Sequence, residues 1–211
     1  MRALLLIALV LALAAAPAMA IVPQLYFGLN LQVNAPTEDF SASDITHVQG
    51  GAETGFGGEF DVGITGSRGS VYAGYRIGKH DASAAGTFQG DHVTTSGEWE
   101  IQRAVIGGRL NLSGSLPTPV APTLGAGITI GKTKATGSLT GSSAYLGASE
   151  SSKSSVGWFV EGGVLIRPPG NLSVIGDIQY HVFDAKFETG AGDATLKVSF
   201  VTVQVGVRMA L

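Results

Sequence analysis

Residues 201–211 read VTVQVGVRMAL, and every second side chain is large and apolar: Val201, Val203, Val205, Val207, Met209 and Leu211. The positions between them, Thr202, Gln204, Gly206, Arg208 and Ala210, are polar or small. A period of two belongs to a β-strand whose faces meet different surroundings. One face of this strand is unbroken hydrocarbon and must meet either a protein core or lipid.

The same alternation recurs seven times upstream, at 25–33, 56–64, 71–78, 103–112, 122–131, 157–167 and 172–182. In 25–33, Leu25, Phe27, Leu29, Leu31 and Val33 oppose Tyr26, Gly28, Asn30 and Gln32. Trp99 and Ile101 run out of phase with Ile106, Leu110 and Leu112, which predicts a bulge near Arg103. The links alternate in length. Those near 34–55, 79–98, 132–156 and 183–197 are long and rich in Ser, Thr, Gly and acids, whereas TGSRGS (65–70), SGSLPTP (113–119) and RPPGN (167–171) are short turns. In an up-and-down meander all long links then fall at one end, the asymmetry of transmembrane barrels.

The N-terminus has the layout of a secretory leader: Arg2, an apolar run from Ala3 to about Ala15, and a small-x-small site at Ala18-Met19-Ala20. Residues 1–20 are therefore expected to be a signal peptide and 21–211 one barrel domain. Cleavage removes only Arg2 among the charges, so the balance becomes slightly more acidic than the −3 of the full chain. That argues against nucleic acid as a partner. With no Cys, an exported chain has neither a disulfide framework nor a lipidated cysteine. The 31 glycines, about twice ordinary usage, are spread through the strand-like segments.

A soluble lipocalin-like barrel and a small membrane barrel can both be built from eight such strands but place the apolar face on opposite sides. The polar face favours the membrane. It is mostly Gly, Thr, Ser, Asn and Gln, too small and too sparsely charged for a solvated exterior but suited to the narrow lumen of eight strands. Its charges balance: Glu59, Asp61, Glu161 and Asp177 against Arg76, Arg103, Arg109 and Arg208. Counted from the short turns, Glu59, Arg76, Glu161 and Asp177 should share one height, with Asp61, Arg109 and Arg208 a layer below. This set reads as a salt-bridge plug, with a gate or proton path as the alternative. Tyr75, Trp99, Trp158 and Tyr180, with Tyr26, are candidates for an aromatic girdle.

On the strands LYFGLNLQV, GWFVEGGVLIRPP and VTVQVGVRMAL the chain resembles the small outer-membrane barrels typified by OmpA and OmpX, over essentially all of 21–211. The resemblance implies an all-β, closed, antiparallel, eight-stranded up-and-down transmembrane β-barrel in the outer membrane of a Gram-negative-type bacterium. It also implies outer-membrane lipids and lipopolysaccharide as surroundings, the barrel assembly machinery as a partner, and no cofactor. Leu211 stands where that group most often ends in Phe. The expected role is non-enzymatic, through surface structure or a ligand bound by loops 34–55, 79–98 and 132–156, with Glu38, Asp39, Asp44, Glu53, Tyr145 and Leu146 as contact candidates. The alternatives are a narrow OmpW-like solute channel and a lipid-modifying enzyme. For the enzyme, His181 lacks the Ser two residues on that lipid A deacylases carry, since Phe183 stands there; a rim histidine is the expectation. His80, Asp81, Asp91 and His92 bracket one link, and solvated loop residues are expected there rather than a metal site. No phosphate-loop or zinc-ligand spacing occurs.

Overall fold

The structure, a computed structural model, describes residues 23–37, 49–88, 91–113, 119–140, 145–189 and 192–211. The leader assignment and the acids Glu38, Asp39 and Asp44 lie outside those residues. Ten strands follow in order: β1 (Gln24–Pro36), β2 (Gln49–Ala52), β3 (Gly55–Thr65), β4 (Gly69–Phe88), β5 (Asp91–Asn111), β6 (Val120–Thr140), β7 (Tyr145–Ser151), β8 (Ser155–Ile166), β9 (Leu172–Thr189) and β10 (Gly192–Ala210). Eight of them, β1, β3, β4, β5, β6, β8, β9 and β10, pair antiparallel in a closed ring, with β1 sealed to β10 from Tyr26↔Ala210 to Pro36↔Phe200. β2 and β7 are short outer pieces on β4 and β6.

The register fixes the barrel's shape. Tyr26 pairs with Gly63, Gly63 with Tyr72, Tyr72 with Gly107, Gly107 with Gly127, Gly127 with Phe159, Phe159 with His181, His181 with Phe200, and Phe200 with Pro36. One circuit thus returns ten residues further along β1. With about 3.3 Å per residue and about 4.8 Å between strands, a stagger of that size over eight strands tilts them by about 40°.

β5 pairs with β4 in unbroken register from Phe88↔Asp91 to Gly69↔Leu110, so the bulge expected near Arg103 is absent. Ile101 and Val105 point inward instead, 1% and 2% exposed. The phase break in the sequence was a change in what the lumen holds, not a change in the backbone. The bulges sit elsewhere. Ala52 faces Ala82 but Phe56 faces Lys79, and Ser151 faces Lys134 but Ser155 faces Gly131. Each step has one extra residue on one strand, which joins β2 to β3 and β7 to β8.

The long links are also corrected. Residues 79–88 and 91–98 are continuous strand, as are 132–140, 183–189 and 192–197. The sheet simply runs on, because Ser, Thr and Gly alternation pairs as well as apolar alternation does. A strand of 21 residues at that tilt spans about 50 Å, about twice the roughly 25 Å apolar band of such barrels. Ribbons therefore project beyond one end. At the other end the turn between β3 and β4 is tight: Gly66 N–H donates to the Gly69 carbonyl at 2.8 Å. Gly170, at φ 109°, takes a backbone shape that only glycine adopts without strain.

The apolar faces point outward. Leu31 is 79% exposed, Phe56 72%, Leu29 61% and Val205 60%. Residues of this kind girdle the ring, far beyond the few hundred Å² of apolar patch that a water-soluble protein carries, and the lipocalin-like alternative fails on that point. Inside, rings lie over glycines. A Cβ on Gly107 would come within 2.8 Å of both Phe159 and Tyr72, and one on Gly127 within 2.5 Å of Phe159. Glycine inside these strands is what lets an eight-stranded lumen hold aromatic side chains.

Candidate functional site

All eight charged residues singled out in the sequence lie inside the barrel and are buried. Their grouping differs from the one expected by counting from the turns. Arg76 forks onto its strand neighbour Glu59, Nε to Oε2 at 3.0 Å and Nη2 to Oε1 at 3.1 Å. Glu161 and Asp177 instead converge on Arg109, at 2.8 and 3.2 Å from Nη2. Asp61 pairs with Arg208 at 3.3 Å. Strand tilt is the reason. Residues equally far from a turn on different strands sit at different heights once each strand is displaced along its neighbour.

Neutral side chains join these pairs into one network. Tyr72 donates its hydroxyl to Glu161 at 2.9 Å, and Gln204 donates to Asp177 at 3.0 Å. The Gln179 amide donates to Glu161 at 3.0 Å and to Asp177 at 2.8 Å, while its oxygen accepts from Arg76 at 2.6 Å. Asn30 donates to Asp61 at 3.2 Å, and Gln32 to Glu59 at 3.4 Å. Each arginine also lies over a ring: Arg76 on Phe159, Arg103 on Phe200, Arg109 on Tyr72 and Arg208 on Tyr26, at 4.5–5.0 Å. Guanidinium planes suit such stacking better than ammonium groups do.

Arg103 departs from the pattern. Among the described residues no carboxylate pairs with it; its one hydrogen bond is to the Gln32 oxygen at 3.4 Å. Phe200 covers one face of its guanidinium, and Arg76, a like charge already forked onto Glu59, stands opposite it on β4. Toward the ribbons the lumen turns apolar, where Ile101, Phe183, Ala185, Val198 and Phe200 form a cluster with Trp99 and Ala135 against it.

His181 is not at a rim. It is fully buried, stacked between Phe159 at 5.3 Å and Phe200 at 5.0 Å. Its Nε2 lies 3.1 Å from Arg76 Nη1 and 2.9 Å from Gln179 Oε1, so it serves one or the other according to tautomer. His80, expected in a solvated link, is instead a second strand histidine, on β4. Its ring meets Phe200 edge to face, and Nδ1 lies 3.0 Å from the Glu53 carbonyl oxygen. The four residues weighed as a metal set are not gathered. His80 pairs with Trp99 and Asp81 with Glu98, whereas His92 pairs with Thr87 and Asp91 with Phe88. Seven residues of ribbon, about 24 Å, separate the two pairs.

Of the girdle candidates, Tyr75 is half exposed on the outer face and donates to Gln102 at 3.0 Å. Trp158 and Tyr180 meet edge to face at 5.8 Å, also outside. Trp99 faces inward onto the apolar cluster, and Tyr26 is a buried lumen ring. The lumen aromatics Tyr72, Phe159 and Phe200 could have been found from their phase, since each falls on the polar face of its strand. Tyr145 and Leu146 belong to β7, opposite Thr140 and Leu139.

The chain matches the family model described as outer membrane protein beta-barrel domain over residues 6–208. Among solved structures it is similar to Neisserial surface protein A (NspA), at 16% identity and a TM-score of 0.59, covering 90% of this chain and 100% of that one. It is also similar to the outer membrane protein OprG from Pseudomonas aeruginosa, at 9% identity and a TM-score of 0.60, covering 90% and 96%. No curated protein sequence matches it.

Proposed function

This chain belongs to the outer membrane protein β-barrel family, and from that premise we propose that it is a closed, non-enzymatic barrel that presents its ribbons at the cell surface. The reading rests on one observation. Arg76, Arg103, Arg109 and Arg208, their acids and the rings they stack on all lie inside the barrel and are all buried. A charge that water could reach freely would not need a fork, a ring and a glutamine to hold it.

The apolar cluster around Phe200 adds a second seal toward the ribbons. His181, enclosed between two rings, has no route to lipid outside the wall, which speaks against the lipid-modifying alternative. The ribbons of β4–β5, β6–β7 and β9–β10 are what remains to meet a surface ligand. Just beyond the apolar belt, Lys79, Lys132, Lys134 and Lys186 point outward and are exposed, at the level where lipopolysaccharide phosphates would lie. Vesicles carrying the refolded chain should swell in an iso-osmotic arabinose solution no faster than protein-free vesicles. Swelling that scales with the amount of protein would overturn the closed-lumen reading in favour of the channel.

A further inference from the structure

The short-turn mouth of the barrel holds a feature that borders the charge network and shares Arg208 and Tyr26 with it. A cavity of about 110 Å³ opens there, lined by Tyr26, Thr65, Arg167, Asn171, Ser173 and Arg208 among others. One water needs about 10–15 Å³ of such space, so a group of several heavy atoms fits. The lining contains two arginines and no carboxylate.

Arg208 is committed only in part. Its Nη2 pairs with Asp61 at 3.3 Å and its plane rests on the Tyr26 ring at 4.8 Å, but its Nε has no partner. The Tyr26 hydroxyl, in a residue 2% exposed, has no close hydrogen-bond partner either, with the Asp61 carboxylate beside it. Arg167 continues the inward phase of β8, and no ion pair holds it among the described residues. Partial burial pulls its guanidinium below its ordinary value, with no acid to offset the cost. Gly170, at φ 109°, places the 167–171 turn along the lining of the opening.

We propose that this mouth is a binding site for a phosphate group, held between Arg167 and Arg208 with the Tyr26 hydroxyl as a third donor. Two guanidinium forks, a phenol and the flanking Asn171, Ser173 and Thr65 outnumber the acceptor sites of a carboxylate and suit the several oxygens of a dianion. The source is either free phosphate or a phosphomonoester.

The test is calorimetric titration of the refolded full chain in detergent at constant ionic strength, with inorganic phosphate, glycerol 3-phosphate and acetate in turn. Phosphate or its ester should bind, and acetate should bind at least about tenfold more weakly. Tighter binding of the ester assigns the site to a phosphomonoester, and equal or weaker binding assigns it to free phosphate. Arg167→Gln, at a turn outside the lumen network, should weaken binding roughly tenfold, the loss of one charge-assisted fork. Tyr26→Phe should weaken it less, and an unchanged gel shift on heating would confirm that both variants fold. No binding of either phosphate, binding as strong by acetate, or binding untouched in both variants would overturn the proposal. Loss of the closed-lumen reading in vesicle swelling would leave this titration unaffected, so the two claims fail separately.

Discussion

Arg76 is the residue on which the lumen network turns, because it touches Glu59, Gln179 and His181 at once. Removing one partner of a buried pair strands the other charge, at a cost of about 3–5 kcal/mol. Arg76→Ala should lose about that much in reversible unfolding into lipid, and adding Glu59→Gln should recover part of it. Adding Glu161→Gln should recover less, since Glu161 belongs to Arg109. Equal recovery by both would contradict the pairing seen here. Arg103 makes the opposite case. With no acid to strand, Arg103→Met keeps the contact with Phe200 and removes an unpaired buried charge. It should cost less than about 1 kcal/mol or stabilise the barrel, and a loss as large as that of Arg76→Ala would show that Arg103 has a partner after all. The eight charges were legible because they broke the polar face of each strand. Their partners were not, since pairing depends on the stagger between strands, which no single strand encodes.

At the scale of the strand, the faces were legible almost throughout. Leu25 to Val33, Trp158 to Ile166 and Val201 to Leu211 all point as their period of two requires. Ile128→Arg and Val205→Arg should each cost roughly 2–4 kcal/mol if near the midplane, since they place a cation in lipid, while Thr129→Ser, one residue over but inside, should cost little. Comparable losses in the three variants would mean the faces are misassigned. Where the reading failed, at 99–101 and along 79–98, the cause was one assumption, that polar means loop and apolar means lipid. Above the membrane both faces of a ribbon are polar, and inside the upper lumen the inward face is apolar, so the pattern inverts without a break in the strand. His80 lies in this inverted stretch. Burial lowers its affinity for a proton below that of a free imidazole. The unfolded ribbon then binds the proton more readily than the folded one, so stability falls as pH drops below about 6.5. Amide exchange in 79–83 and 96–101 should speed up between pH 7 and pH 5 in the wild type and change less in His80→Phe. Equal acceleration in both would assign the effect to another group.

For the whole molecule, eight strands and a ten-residue circuit determine a lumen just wide enough for its own side chains. The number of strands and the alternation of link lengths were readable from the chain. The circuit was not, because it is the sum of eight registers, each set by a turn or bulge such as those at 53–54 and 152–154. That sum decides which rings meet which arginines, and so whether the barrel is open or shut. The role we propose for a barrel packed this way is a scaffold for its ribbons rather than a conduit. Single-channel recording of the refolded wild type in a planar bilayer tests that claim most directly. The packed network and the Phe200 cluster predict no steady current above the bare bilayer at either polarity. A reproducible, ion-selective unitary current from the wild type would contradict it.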